Sequence, residues 1–553
     1  MFIRVTGPGP FAGLLTMSLC LIGMVSKMFI ESIEDLDKRI LESLDAAGCT
    51  TFQKIRYGIL PQLTADFTST IIYRFDMNLR DATVLGLVGA GSIGAPLIFA
   101  MSSYRWNEVG AILLGLIGTE AGFRDALVGV YALMCGTNSY GRDLTYGYLD
   151  VLAQYYNSPL KTTSSGYEHN FKNAAEYKYT EKTEESRISS IWSNHFSAVA
   201  NINQAMLFID ENKGVFTSPE VHDVYKGEFL ALRAFLHFDI LRLFAPSAAM
   251  NNNKGLDALA IPYIDVFTNI AQSQLTVKEV LKKIETDLLA AKQLMKGKEE
   301  FKFSDTSDPL YNRKQRMNYY AVTALLARVY LWGNDKEAAL KEAKEIIGEA
   351  DGESPASYEL ANSAATTSDP MFNKELIFTL DVQKLKDNSD IYFTESFSST
   401  SNILTMSSKG KATIFNSSGL DNEFRNYWIT PYSDGSSFVL KKYTGVNYIP
   451  MFKISELYLI AAECAQGKAA YDYLNKLRNH RGLSSIAPTD DLAGYIFQEY
   501  RREFIGEGQM FFYYKRKAME TIGAENNIAH QDVNAVYNLP IPTVEIDFGN
   551  IKN

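Results

Sequence analysis

The sequence predicts a mainly α-helical protein: a helical array built of αα-hairpins, broken by one irregular loop region and preceded by an all-α transmembrane portion. Three observations carry this. Val224 to Phe244 places Tyr225, Phe229, Leu232, Leu236, Ile240 and Leu243 at steps of three and four, with Lys226, Glu228, Arg233, Asp239 and Arg242 available as a polar stripe. Ile191 to Asp210 has the same periodicity, and Gly214 with Pro219 marks a break between the two, as in a helical hairpin. Near the start, 22 residues between Arg4 and Lys27 carry no charge, and FAGLLTMSLCLIGMVS within them is apolar enough and long enough to span a bilayer.

With 553 residues the chain exceeds one ordinary domain, and a two-part organisation is expected. A formal charge of −10 without any run of Lys and Arg argues against a nucleic-acid partner, because phosphate binding is driven by clustered cations. Cys20, Cys49, Cys135 and Cys464 form no CxxC pair and the six histidines are dispersed, so neither a disulfide framework nor a metal site is expected. The 32 Tyr and 32 Phe suit a packed core first and a stacking surface second.

In residues 1 to 117 the first apolar stretch reads as a transmembrane helix. A secretory signal peptide is the competing reading, but Leu19 stands before Cys20 where a small residue is needed, and Arg4 is the whole basic region. A charged helical stretch follows from Glu31 to Arg56. Gly89-Ala90-Gly91-Ser92-Ile93-Gly94 matches G-x-G-x-x-G, yet no βαβ unit or acidic residue about 20 positions on accompanies it. Close helix packing explains those glycines better than a dinucleotide site. Arg74, Asp76, Arg80 and Asp81 would each cost about 2.5 to 3.5 kcal/mol at the centre of a lipid-facing helix, so that segment does not span alone. Val109 to Ile117 begins another apolar helix and stops after nine residues.

Glu42-Ser43-Leu44-Asp45-Ala46-Ala47-Gly48, then eleven residues, then Leu60-Pro61 resembles the EAA loop of ABC-transporter permeases. GPGPFAGLL, Tyr73-Arg74-Phe75 and Thr83 to Gly91 are similar to the phosphonate-uptake permease. The resemblance implies an inner-membrane fragment whose Glu42, Ala46, Gly48, Leu60 and Pro61 dock an ABC ATPase subunit. Early helices of that family and most of its last one are expected to be lacking.

From Thr119 onward Ala121, Phe123, Ala126, Leu127, Val130 and Leu133 recur at helical spacing. Tyr140 to Asp150, rich in Tyr and Gly, is expected as a loop or short extended segment. Thr276 to Met295 and Met317 to Trp332 repeat the helical pattern. Residues 351 to 450 are poorer in it, with Glu375 to Leu380 a short strand and FRNYWITPY concentrating aromatics beside Pro431. Helices return at Met451 to Glu463 and Ala470 to Gly482.

GEFLALRAFLHFDILRLF with Ala260-Ile261-Pro262-Tyr263 resembles the SusD/RagB family of outer-membrane nutrient-binding lipoproteins. The resemblance continues through YDYLNKLRNHRG, Tyr500-Arg501-Arg502-Glu503-Phe504, Glu507-Gly508, Phe511-Phe512 and Leu539-Pro540-Ile541-Pro542, so it covers residues 119 to 553. Ala327-x-x-Tyr330-x-x-Gly333 with Ala338 is similar to a tetratricopeptide repeat. The first family helix normally follows a lipidated cysteine and a tether, which are not expected here.

No HExxH, G-x-S-x-G elbow or Walker lysine is present, so an enzyme is not expected, and neither is a cofactor. For residues 118 to 553 the resemblance implies capture of a glycan or peptide at the outer membrane and its transfer to a SusC-like TonB-dependent barrel. Long irregular segments on a helical scaffold are where binding surfaces tend to lie. Tyr140, Tyr427, Trp428 and Tyr432, with Arg142 and Asp150 as hydrogen-bonding neighbours, form the candidate ligand platform. The alternative is a phosphonate permease subunit with an extra binding domain. Because the two families belong to different membranes, residues 1–117 and 118–553 are expected to be two gene fragments joined near Ile117 and Gly118.

Overall fold

The computed structural model describes residues 119–551 except 162–167, 269, 299–307, 357, 363–368, 395–401, 416–422, 524–527, 530, 531 and 550, together with residues 50, 51, 56 and 63. The chain divides into two units, Met1–Leu116 and Ile117–Asn553, and every element below belongs to the second. The apolar stretch 11–26, the glycine run Gly89 to Gly94 and the loop residues Glu42, Ala46, Gly48, Leu60 and Pro61 lie outside the described residues. Among the described residues no helix is long and apolar enough to cross a membrane.

The first part holds α1 (Glu120–Met134), α2 (Tyr148–Leu152), α3 (Lys182–Ile209), α4 (Pro219–Phe244), α5 (Val277–Met295), α6 (Tyr319–Trp332) and α7 (Lys336–Ile347), with short helical turns at Lys172–Ala175 and Met250–Asn253. The irregular region holds β1 (Leu376–Asp381), β2 (Met406–Ser407), β3 (Ile429–Pro431), β4 (Ser437–Leu440) and β5 (Tyr448–Lys453). Then come α8 (Ile454–Cys464), α9 (Lys468–His480), α10 (Leu492–Glu503) and α11 (Gln509–Arg516). Helix α1 packs on α3, and from there each long helix packs on the next: α3 on α4, α4 on α5, α5 on α6, α6 on α7, α7 on α8 and α8 on α9. This nearest-neighbour order is that of a solenoid, in which each hairpin buries its apolar face against the following one.

The local chemistry sets the helix ends. Ser218 caps α4 by accepting from the Val221 amide, and Pro219 stands at the first helical position, where its missing N–H costs nothing. Pro219 therefore starts the helix that it was expected to separate from its neighbour. Thr276 and Glu279 form a reciprocal capping box at α5. Asn318 caps α6 and also donates to the Ile377 carbonyl at 2.9 Å, which ties that helix to β1.

Helix α4 corrects the expectation of a polar stripe. Apart from the half-buried Lys226, every residue from Val224 to Phe244 is buried, including Glu228, Arg233, Asp239 and Arg242. Each of these charges meets a partner from another turn or helix. Glu228 accepts from Arg313 at 2.9 Å, Arg316 at 2.6 Å and the Tyr131 hydroxyl at 2.5 Å. Arg233 reaches both Asp287 oxygens on α5 at 2.7 and 2.8 Å, and the Arg242 guanidinium lies 3.8 Å from the Phe512 ring centroid while pairing with Asp239. A charge removed from water is tolerated only when paired in this way. Gly227 lets α4 and α5 cross closely, since a Cβ there would lie 3.0 Å from Met295 Cγ and 3.2 Å from the Ala291 carbonyl oxygen.

β1 and β5 pair antiparallel, and β2, β4 and β3 form a three-stranded sheet in that spatial order. The expected strand over Glu375 to Leu380 is present, shifted by one residue. Tyr140 to Asp150 is neither an open loop nor extended: it runs through tight turns into α2, and only Arg142 in it escapes full burial.

Candidate functional site

The three-stranded sheet and the 3-10 turn Phe424–Trp428 that leads into β3 present the aromatic cluster read from the sequence. Neighbouring residues in that turn have opposite fates. Trp428 is 2% exposed, donates its indole N–H to the Pro370 carbonyl at 2.8 Å, and lies under the Lys442 ammonium at 3.7 Å. Tyr427 is 38% exposed, and Lys441 Nζ sits 4.5 Å from its ring centroid. Trp428 is thus part of the core and not of a surface platform, because its ring and its donor are both engaged inside.

Beneath Trp428 lies a dense ionic network. Arg425, fully buried, donates to both Glu423 oxygens at 2.9 and 2.6 Å, to Glu499 at 2.6 Å and to Glu503 at 2.9 Å. Arg481 forks between Glu375, at 2.7 and 2.8 Å, and Glu503, at 3.0 and 3.1 Å. Arg478 and Arg502 hold the other Glu499 oxygen at 2.9 and 2.8 Å. Lys442 and Lys453 converge on Glu507 at 2.5 and 2.7 Å. Burial opposes charge on the Glu503 carboxyl, but Arg481, Lys453 and Arg425 outweigh it and hold this group well below the ordinary carboxylate range. The network fastens the irregular region, through Glu375, Glu423, Arg425, Lys442 and Lys453, to helices α9 and α10.

Two further candidates also turn out to be internal. The Tyr140 hydroxyl donates to Asp239 at 2.5 Å, its ring stacks on Phe235 at 5.4 Å, and it is 2% exposed. Asp150 is fully buried and accepts from the backbone amides of Gly506 at 2.6 Å and Gly508 at 2.9 Å. Burial pushes its carboxyl up to about 8, against the pull of those amides and of Lys442. Gly508 sits at φ +71 and a Cβ there would lie 2.5 Å from the Leu144 carbonyl oxygen, so the Glu507-Gly508 motif is the seat on which α2 rests through Asp150. Neither Tyr140 nor Asp150 is open to a ligand. Arg142 is half-buried and forks onto its neighbour Asp143 at 2.7 and 3.1 Å.

Tyr432 is half-buried at the start of the β3–β4 turn, where its amide donates to the Ser437 carbonyl at 2.8 Å. Asp434 shapes that turn by accepting from the amides of Ser436 at 2.9 Å and Ser437 at 2.7 Å. Phe438 pairs with Pro431 on one side and Met406 on the other, and the Lys411 ammonium lies 4.4 Å from its ring centroid. Lys441, Phe438 and Lys411 were not among the sequence candidates. The strand alternation of SFVL holds a weak signal for Phe438, but the lysines come from outside the strands and no spacing points to them. The surface combines aromatic faces with ammonium donors, a chemistry that stacks on flat apolar rings and hydrogen-bonds hydroxyls.

Residues 145–331 match a SusD-like family described as starch-binding and associating with the outer membrane, and residues 310–546 match the SusD family. The two SusD-type matches together run over residues 145–546. Among solved structures, a SusD superfamily protein from Bacteroides thetaiotaomicron VPI-5482 aligns with a TM-score of 0.63 at 21% identity, covering 78% of this chain and 99% of its own. A putative sugar binding protein from Bacteroides vulgatus ATCC 8482 aligns at 0.60 and 21%, covering 78% and 98%. A laminarin binding SusD-like protein aligns at 0.60 and 19%, covering 78% and 98%. These likenesses show that the SusD-family region has the SusD fold. The chain also carries a stretch similar to permeases. It is 40% identical over 117 residues to a phosphite transport system permease protein of Stutzerimonas stutzeri, 21% of this chain and 42% of that one. It is 34% identical over 106 residues to a putative cryptic phosphonate transport system permease protein of Escherichia coli (strain K12), 19% and 87% of the two chains. The chain spans less than half the length of the phosphite permeases that it matches.

Proposed function

We propose that the SusD-family region captures an oligosaccharide nutrient at the outer membrane and delivers it to a SusC-like TonB-dependent barrel, with Tyr427 and Tyr432 as stacking residues. The observation that carries this reading is the exposed Tyr427 ring with Lys441 over it, next in sequence to the buried Trp428. The family description as starch-binding and the laminarin binding of one structural neighbour support a glycan over a peptide. Affinity electrophoresis of the full chain in gels containing soluble starch or laminarin tests it. Retardation by one of them that is lost in Tyr427→Ala supports the reading. Retardation unchanged in that variant removes Tyr427 from the site, and none with either glycan turns the search to peptides.

A second reading concerns the permease-like stretch and rests on its likeness to the Escherichia coli permease. Under it, Glu42, Ala46, Gly48, Leu60 and Pro61 dock an ABC ATPase at the inner membrane, and residues 1–117 and 118–553 are two gene products in one reading frame. The tryptic peptide Trp106 to Arg124, WNEVGAILLGLIGTEAGFR, crosses the joint. Its detection in source cells, against a synthetic standard, establishes a single polypeptide. Its absence beside repeated flanking peptides establishes two.

A further inference from the structure

On the helical array, away from the aromatic sheet in sequence, two cavities share a basic ridge. One, of about 540 Å³, is lined by the end of α8 (Ala462, Ala465), the first turns of α10 (Leu492, Ile496, Phe497) and Met519. The other, of about 400 Å³, lies against Trp332, Asn334 and Asn253. Both volumes fall in the range of small-ligand pockets, roughly 300 to 1,000 Å³. Lys336, Glu463 and Lys517 line both cavities, and Arg516 lines the second.

The charge on this ridge is unbalanced. Arg516 forks onto Glu463 at 2.6 and 2.7 Å, and Lys517 reaches the same carboxylate at 2.6 Å, so the one acid among the described residues lining the two cavities is fully engaged. Three cations face one carboxylate on a chain whose formal charge is −10. Lys336 is exposed at the first position of α7, between Asp335, which caps the helix by accepting from the Ala338 amide, and Glu337, and of the three cations it is the one that lines both cavities from α7. Beside the ridge the larger cavity is walled by Leu, Ile, Phe and Met side chains, with Ala462, Ala465, Ala493 and Gly494 leaving room for a chain to lie along α10. Met fills irregular gaps and adapts to flexible apolar groups.

The geometry points to a binding site for a single-chain anionic amphiphile, its head on Lys336 and Lys517 and its acyl chain in the α8–α10 groove. Charge complementarity selects the head and the apolar wall selects the tail. The site shares no residue with the aromatic sheet, so it stands or falls independently of glycan capture.

Equilibrium binding to the full chain by calorimetry, with decanoate, decan-1-ol and decyltrimethylammonium as probes, tests it. Decanoate is expected to bind at least tenfold more tightly than decanol, and the cationic probe not to bind. Two surface variants divide the site: Lys336→Glu is expected to weaken decanoate about tenfold and leave decanol unchanged, whereas Ala493→Trp, which fills the groove, weakens both. A lysophosphatidylglycerol arm tells a lipid headgroup from a free fatty acid, and tighter binding of either one supports the site. Equal affinity for decanol and decanoate, or decanoate affinity unchanged in both variants, overturns the proposal. So does tighter binding of an acidic-apolar peptide such as Asp-Glu-Leu-Leu than of either amphiphile.

Discussion

Helix α4 and the turn from Phe424 to Trp428 both mix charged and aromatic residues, and the structure uses the mixture in different ways. In α4 every charge from Glu228 to Arg242 is drawn inward and paired across the helix interfaces, so polar residues become part of the packing. In the turn the charge at Arg425 goes inward with Trp428, while Tyr427 between them remains at the surface. A charged residue therefore says little about exposure in this protein. In these two regions the buried charges are those that meet a partner of opposite sign in a neighbouring turn or element.

The sharpest way to break this comparison is to remove one charge from each region. Arg425→Met leaves Glu423, Glu499 and Glu503 short of a shared partner, and is expected to lower the unfolding free energy by about 3 to 5 kcal/mol in urea titration. Arg233→Met, which strands Asp287 on α5, is expected to cost a similar amount, and a loss under 1 kcal/mol in either would show that the carboxylates find water. Trp428→Ala comes next, at about 3 to 5 kcal/mol from the cavity it leaves, and its measured effect separates packing from charge in the turn.

A smaller effect follows pH. Burial raises the Glu463 carboxyl, but Arg516 and Lys517 outweigh it and hold the group at about 2, below its ordinary 4.5. A depressed acid stabilises the fold at pH above its unfolded value, so this contribution is full above about 4.5 and is lost as pH falls towards 2. The urea midpoint is expected to fall between pH 5 and pH 3, and to fall less steeply in Glu463→Gln. Tyr427→Ala is the smallest change in stability, within about 0.5 kcal/mol, because its ring is partly in solvent. A thermal melt unchanged in that variant, beside lost glycan retardation, would confirm that neighbours in one turn serve fold and surface separately.

Much of the helical array was legible. The three-and-four spacing of α3, α4, α5 and α6 located those helices to within a turn or so at most ends. The cap at Thr276 and the proline at 219 are local signals, and Pro219, which with Gly214 marks the break between α3 and α4, stands at the first position of α4 behind its Ser218 cap. The candidate site was less legible. Of the six residues proposed from sequence, Tyr427 is exposed, Tyr432 and Arg142 are half-buried, and Tyr140, Asp150 and Trp428 are internal. Nothing in Tyr140 to Asp150 announces that Asp150 meets the amides of Gly506 and Gly508, which lie more than 350 residues away.

The amino-acid order by itself located α3 to α6 to within a turn or so at most of their ends and carried the SusD resemblance, because periodicity and caps act within a few residues. Tertiary structure alone decided which polar and aromatic side chains are inside. Glu228, Arg425 and Glu503 can be buried only because Arg313, Glu499 and Arg481 arrive from distant segments to meet them. Long-range pairing of charge in a low-dielectric interior has no period in the sequence, and so it becomes visible only when the chain is folded.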